Sequence, residues 1–414
     1  MPAVNTGDTA LVLISAALVC LMTPGLAFFY GGLVRRKNVL TIMMQSFISM
    51  GVVTIIWVLF GFSLAFGGDH GGLIGDFRWV GLHGVGFAPN PSYGPTIPFL
   101  AFFLFQEMFA IITPALITGA FADRVKFTSY LKLLVLWSLL VYVPLVHWVW
   151  GGGFLQHLGV VDFAGGIVVH LSAGMAALAS VFVVGRRHLA AGERSAPHNV
   201  TFVALGTGLL WFGWFGFNGG SALAANGVAA IAFVNTDIAA SVAMVVWLAV
   251  SWMREGKPSV TGALTGAVAG LATVTPCAGY VAPWAAACIG LLASLVCYAA
   301  VQYRVRHDWD DALDVWGVHG VGGALGTVLV GVFAAAAING VRGLIEGGAR
   351  QFGVQVLAVA ITLVYCFGMT YLILKVINHF EPVRVPDDVE LRGLDEALHG
   401  ERAYDLAEVM ASND

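Results

Sequence analysis

Two histidines stand where the surrounding sequence is apolar and rich in glycine. His170 closes the run DFAGGIVVH, and His319 stands in DVWGVHG. His170 follows Asp162 by eight residues and His319 follows Asp314 by five. On a helix those intervals are a little over two turns and under one and a half. An ionisable side chain in hydrocarbon is costly, so a sequence that keeps one has a use for it. A neutral imidazole offers one donor and one acceptor. Two in contact can share one proton and line a passage for a small polar molecule. Either histidine alone reads equally as a satisfied structural group. One in each half of the chain favours a pair meeting near a midplane. A metal centre is the rival reading, but no third ligand stands at suitable spacing, so we expect no metal and no cofactor.

Aromatic residues form a second set. Trp150 precedes Gly151-Gly152-Gly153, Phe109 lies in FQEMF, and Phe217 and Ser221 lie in WFGWFGFNGGS. A tryptophan at a membrane interface commonly anchors the chain there. A cluster of rings at an external mouth can instead hold a cation against the ring faces.

The elements that carry these residues are membrane spans. Of 414 residues, 58% are hydrophobic and 11% charged, against about a quarter charged in soluble domains; mean hydropathy is +0.84. No Lys or Arg precedes Arg35, and residues 38–75 carry one charge, Asp69. Apolar stretches near 20 residues cross a bilayer as helices. Eleven are expected, near 9–32, 39–67, 97–121, 127–149, 161–185, 199–220, 226–252, 258–276, 279–302, 314–336 and 351–379. The fold class is therefore all-α and polytopic. The first span has no basic leader and continues to Tyr30, unlike a cleaved signal.

Cationic residues orient the chain. Alternate connections hold Arg35-Arg36-Lys37, Arg124 with Lys126, Arg186-Arg187 with Arg194, Arg254 with Lys257, and Arg304 with Arg306. The opposite connections hold Arg78, Arg342 and Arg350. The richer set belongs in the cytoplasm, which places the N-terminus outside and the C-terminus inside a plasma (inner) membrane. The five cysteines lie in or beside spans and read as free, buried thiols. Asn199-Val200-Thr201 has the glycosylation pattern, but on the cytoplasmic side, so it is read as chance. A net charge of −4 without a basic patch gives no reason to expect nucleic acid.

Five spans, five spans and one more compose an inverted repeat with a final helix. The divisions are 1–192, 193–340 and 341–380, with a polar cytoplasmic tail at 381–414 that is either disordered or packed on the loops. An odd number of spans per half inverts the second half, and such repeats bind their substrate at their shared interface. FFYGG in span 1 echoes FNGG in span 6, and the two Asp…His runs echo each other. Gly262, Gly266 and Gly270 recur every fourth residue, a spacing that lets helices approach closely. Gly165-Gly166 and Gly322-Gly323 do the same beside the histidines.

Many ordered motifs then converge: FFYGGLVRRKNVL, HWVWGGG, DFAGGIVVH, GWFGFNGGSA, AFVNT, GKPSVTGALTGAVAGLATVTPCAGY, DVWGVHGVGG and VRVPDDVELRGLDEALHGERAY. From Leu26 to Tyr404 the chain resembles the ammonium transporter family (Amt, with Mep and Rh). That resemblance implies a homotrimer with one pathway per subunit, conducting ammonia derived from ammonium, with or without separate passage of the proton. It implies methylammonium as an analogue and a PII-type regulatory protein at the cytoplasmic face. It assigns Phe109, Trp150 and Ser221 to ammonium recruitment and Phe109 and Phe217 to a gate. His170 and His319 line the pore, and Asp162 serves structure or deprotonation beneath the recruiting site. Asp311 and Asp314 stand on the cytoplasmic side, and Tyr30 and Thr275 lie near the pathway.

Three residues depart from the family pattern. Trp316 replaces the usual phenylalanine and is expected to narrow the inner exit. Glu107 either draws cations to the outer vestibule or is accommodated in the bundle; Asp237 is similarly open. A neutral-gas channel of the Rh type and an ammonium sensor are the competing functions. A sensor is expected to carry a signalling domain, for which the 34 residues after Phe380 are too few. An intramembrane enzyme lacks a nucleophile–base pair or metal cluster.

Overall fold

Side chains that can accept from backbone N–H groups begin several of the spans. Asn5 Oδ1 accepts the Asp8 N–H at 3.0 Å and opens α1, Thr6–Leu33. Asn199 does the same for α6, Val200–Gly220, through the Phe202 N–H at 3.0 Å. Asn226 starts α7, Gly227–Glu255, and Ser259 starts α8, Val260–Val274. These caps satisfy donors that the first helical turn leaves open. The Asn199 side chain is thus committed to the helix start. The computed structural model describes residues 3–189 and 196–404, so Arg194 and the last ten tail residues lie outside the described part.

The other helices are α2 (Arg36–Phe66), α3 (Phe99–Ala120), α4 (Phe127–Leu158, broken at 151–153), α5 (Gly166–Val184), α9 (Pro283–Arg306), α10 (Trp316–Phe333) and α11 (Ala349–Phe380). Among the described residues, ten are long and apolar enough to cross a membrane, and no strand forms beyond isolated bridges. The protein is therefore an integral membrane protein. The eighth expected span is shorter than the rest. At 15 residues, α8 is about 22 Å long, below the roughly 30 Å hydrocarbon core. It stops at Thr275-Pro276 because proline cannot continue the ladder, and a turn through Tyr280 replaces the last helical turn.

Two faces result. The N-terminus, the 90s loop and the α6–α7 connection meet at one, where the Asn5 N–H donates to Thr96 O and the Ala225 N–H to Asp8 Oδ1. The tail lies at the other. There Asp395 accepts the Leu40 and Thr41 N–H groups at the start of α2, Lys37 Nζ donates to Leu391 O, and Arg384 pairs with Glu390. Of the two expectations for the tail, packing on the loops holds as far as Tyr404. Of the arginines expected to share one face, Arg35, Arg124, Arg187 and Arg304 do so. Arg35 and Arg187 reach Asp123, Arg187 also reaches Asp310, and Arg304 pairs with Asp314. Arg124 is fully buried and donates to the backbone carbonyls of Ala120, Ala122, Gly185 and Asp310.

The glycine spacing in α8 has the expected use. A Cβ on Gly266 would press on Trp247, and one on Gly270 on Ala243, both in α7. All five cysteines are free.

Candidate functional site

Glycines decide how the two histidines meet. Where α5 crosses α10, Gly174 lies against Gly320, and a Cβ on Gly323 would come within 2.9 Å of the His170 Cβ. Only side chains this small let the backbones touch. The imidazoles then face each other with Nδ1 atoms 3.3 Å apart, ring centroids 5.3 Å apart and planes 23° from parallel. Each histidine also sits in a widened turn. Gly165 O accepts both the Val169 and the His170 N–H, at 2.9 and 3.0 Å, and Trp316 O accepts from Val321, five residues on. Such wide turns displace side chains from ordinary helical positions and recur at functional sites.

A single proton between the two Nδ1 atoms fixes the other nitrogens. The donating ring is left with a bare Nε2, and the accepting ring carries its hydrogen on Nε2. The pair therefore offers one acceptor and one donor to its surroundings. His170 Nε2 is buried and has no partner among the described residues.

Three spaces lie in series along this axis. A cavity of about 310 Å³ opens on the N-terminal face, walled by Phe109, Trp150, Asp162, Ser221 and Tyr93. Phe109 and Phe217 close its floor, their ring centroids 4.2 Å apart and each 1% exposed. Below them is an apolar gap of about 10 Å³, bounded by Leu26, Ile112, Trp214, Phe217, His170 and His319. That is the size of one small molecule, since a cavity needs about 10–15 Å³ to hold a water. His319 also borders the third space, a cavity of about 470 Å³ on the tail face with Tyr30, Arg304 and Asp314 in its walls.

Two of the residues expected to recruit ammonium have committed their donors. Trp150 Nε1 donates to Asp162 O at 2.8 Å, which holds the indole edge-on to Phe109 at 6.3 Å. Ser221 Oγ donates to Phe217 O at 2.9 Å. Its lone pairs remain to accept an N–H from the cavity.

The structure corrects the helical reading of the aspartates. Asp162 lies before α5, not on it. Its Oδ1 accepts the Gly165 and Gly166 N–H groups at 2.9 and 2.6 Å, and its Oδ2 those of Ile167 and Val168 at 2.8 and 3.1 Å. Gly165 sits at φ +117°, which a side chain would oppose. Asp314 takes a left-handed conformation, φ +61°, before α10 and pairs with Arg304. Asp311 is buried and accepts the Trp316 N–H at 2.7 Å.

Two further expectations change. Trp316 does not line the tail-face cavity. It packs edge-on against Trp309 at 5.4 Å, and the tail-face cavity is walled by Leu313 and Asp314 instead. Glu107 is 5% exposed and sits beside Thr54 of α2, away from the N-terminal cavity. Accommodation in the bundle is the reading that stands. Trp214 was not singled out as a site residue. Its ring stacks on His170 at 5.3 Å, and its N–H is fixed on Thr275 Oγ1 at 2.9 Å. The repeated aromatics of WFGWFGFN were the available signal.

Burial pushes the Asp311 carboxyl up to about 6, with Asp314 adding to the rise against the opposing Arg304. The folded state therefore holds this proton more tightly than the unfolded chain, where the value is near 3.8. The stability this adds is full below pH 4 and is lost as pH rises through 6. Two units correspond to about 3 kcal/mol. We expect Asp311→Asn to flatten this fall. Melting of the detergent-solubilised variant, compared with the unaltered chain at steps from pH 4 to 7, measures it. Parallel curves would contradict the assignment.

A helical membrane protein with cavities on both faces, separated by a pair of close-packed rings and an apolar histidine-lined gap, has the architecture of a channel-type transporter. A sequence model of the Ammonium Transporter Family matches residues 10–404. The chain is 47% identical over 401 residues to the ammonium transporter of Bacillus subtilis (strain 168), covering 96% of this chain and 98% of that one. It is 44% identical to ammonium transporter Amt1 of Archaeoglobus fulgidus, covering 97% and 100%. The crystal structure of Saccharomyces cerevisiae Mep2 superposes with a TM-score of 0.89 at 34% identity, over 98% of this chain and 92% of that one. The chain belongs to the Ammonium Transporter Family.

Proposed function

We propose that the protein takes up ammonium by letting it release its proton to water in the N-terminal cavity and passing the ammonia along the histidine pair. The N-terminal face is outside, the tail face is cytoplasmic, and the membrane is the plasma (inner) membrane. The observation that carries this is the apolar gap of about 10 Å³ between two larger cavities. Moving a bare cation into such a gap is opposed by on the order of 20 kcal/mol in the idealised limit. Removing a proton from an amine that titrates two to three units above neutrality costs about 3–4 kcal/mol. Deprotonation is the cheaper route. Potassium is similar in size and has no proton to leave behind.

The parts divide the work. Trp150 and Phe109 present ring faces and Ser221 a lone pair to the cation. Phe109 and Phe217 must part to admit the ammonia left behind. Beyond them the acceptor and donor of the His170–His319 pair replace water around ammonia. Asp314 and Arg304 stand where the product reaches water again, and Asp311 holds the start of α10. Asp162 acts through structure, because all four of its contacts are to backbone N–H groups. We further propose a five-plus-five inverted repeat with one final helix, assembled as a homotrimer. A PII-type protein closes the tail face.

The test uses purified protein in liposomes. An ammonium pulse should alkalinise the lumen, methylammonium should compete, and potassium and dissolved carbon dioxide should not. Current recorded on the same pulse reads whether the proton follows. Equal uptake with and without protein would reject the proposal.

A further inference from the structure

Both ring nitrogens of His147 face acceptors. The residue lies on α4, three before Trp150, and is 0% exposed. Its Nδ1 is 2.9 Å from Ala65 O and its Nε2 is 2.9 Å from Asp69 Oδ1. A carbonyl and a carboxylate accept and do not donate. A neutral imidazole has one hydrogen, so it serves one of them and turns a bare lone pair on the other. The two contacts together require a hydrogen on each nitrogen, which makes the ring an imidazolium. A buried charge is tolerated when an opposite charge lies against it. The extra proton belongs to the ring. The Asp69 side chain is 34% exposed, and the hydrogen bond from His147 holds its carboxyl below the usual carboxylate range.

The two acceptors bracket one piece of the N-terminal cavity. Ala65 lies in the last turn of α2, and Phe66 beside it borders the cavity with Tyr93, whose hydroxyl donates to Phe66 O at 2.7 Å. Asp69 Oδ1 also accepts the Gly72 N–H at 2.8 Å and so shapes the loop that follows. That loop meets the outer end of α4 twice more. Leu73 O accepts from Trp148 Nε1 at 2.8 Å, and Gly72 O accepts the Phe154 N–H at 3.0 Å. Gly151 closes over the inner contact, since a Cβ there would strike Ala65 O. The other ionisable groups around the pair are His70, the Asp76–Arg78 ion pair, Tyr93, His157 and Asp162. Among the described residues, none of them bonds His147.

We propose that His147 is a charged positioning residue that fastens the rim of the N-terminal cavity, and that an alkaline medium unfastens it. Losing one proton leaves one hydrogen for two acceptors. It stays on Nδ1, because the Ala65 carbonyl is buried and an acceptor orphaned there costs more than one in reach of water. The bare Nε2 then faces the Asp69 carboxylate, which turns to solvent and loosens residues 69–75. The orientation proposed above makes that medium the external one.

Solid-state NMR on lipid-embedded protein with isotope-labelled histidine reads the charge. At neutral pH the signals that His147→Gln removes should be those of two protonated ring nitrogens. Asp69→Asn should leave one protonated nitrogen, because its amide donates to a bare Nε2. Hydrogen exchange, corrected for its chemical pH dependence, reads the fastening. From neutral to alkaline pH, exchange in residues 69–75 should rise about tenfold, the loss of one charge-assisted bond. In Asp69→Asn it should stay at the neutral-pH level throughout. One protonated nitrogen on His147 at neutral pH overturns the charge. An Asp69→Asn loop that is loosened equally at every pH marks a merely structural contact and overturns the switch. Should either variant fail to fold, a loop in the unaltered chain that is equally protected at both pH values still overturns the proposal. Neither reading requires transport, so both are independent of the conduction proposed above.

Discussion

Liposomes carrying the His170→Ala, His319→Ala double variant are expected to admit potassium, and those carrying the unaltered chain to exclude it. The argument is one of space. The gap beneath Phe217 holds about 10 Å³, and the two imidazoles form part of its wall. Removing both leaves room for several waters, and a cation that keeps its waters no longer meets the desolvation barrier. The leucine pair asks the opposite question. His170→Leu with His319→Leu keeps the gap filled and removes the donor and acceptor. A small polar molecule in an apolar space without a hydrogen bond is disfavoured by about 2–7 kcal/mol. Each 1.36 kcal/mol is tenfold in rate, so uptake should fall at least tenfold, with potassium still excluded. A potassium-sensitive dye and a lumenal pH dye read both outcomes in one preparation. Full selectivity in the alanine pair, together with full uptake in the leucine pair, would deny the histidines a part in conduction.

The residues of this site were visible in the sequence before their geometry was. Apolar runs of membrane length identified the spans, because composition alone sets that signal. The histidines stood out because polar groups in such runs are rare. What the sequence concealed was local. Asp162 was placed on a helix face because periodicity assumes that the helix extends through Gly165-Gly166. Instead the left-handed Gly165 starts the helix later and turns the carboxylate into its cap. The wide turns at His170 and His319 leave no trace in a 3.6-residue pattern. Trp316 was expected to narrow the exit because it replaces the usual phenylalanine before His319. Its ring turns to Trp309, a residue of the preceding loop that only tertiary packing brings near. That Asp237 stands exposed on α7 was not legible either. Its outward direction required α8 and α9 to be seen packing on the other side of α7.

Asp162→Ala is expected to remove the folded protein from the membrane altogether. The substitution leaves four N–H groups at the start of α5 without acceptors, in a place reached by little water. An orphaned buried donor costs about 1–3 kcal/mol, so four together approach the 5–15 kcal/mol by which a domain is stable at all. The damage also spreads. Trp150 is held by the Asp162 carbonyl, and Gly165 is placed by its carboxylate, so both the Trp150 ring and the origin of the His170 turn lose their reference. Asp162→Asn separates this role from proton transfer. Its amide oxygen can keep the two bonds to Gly165 and Gly166, while its NH2 confronts the Ile167 and Val168 donors. Folded yield and melting temperature should drop, and the surviving folded molecules should still conduct ammonia. A carboxylate needed to strip the proton predicts the reverse: Asp162→Asn would fold well and transport nothing. Uptake normalised to folded protein, measured beside the melting curve, decides between them.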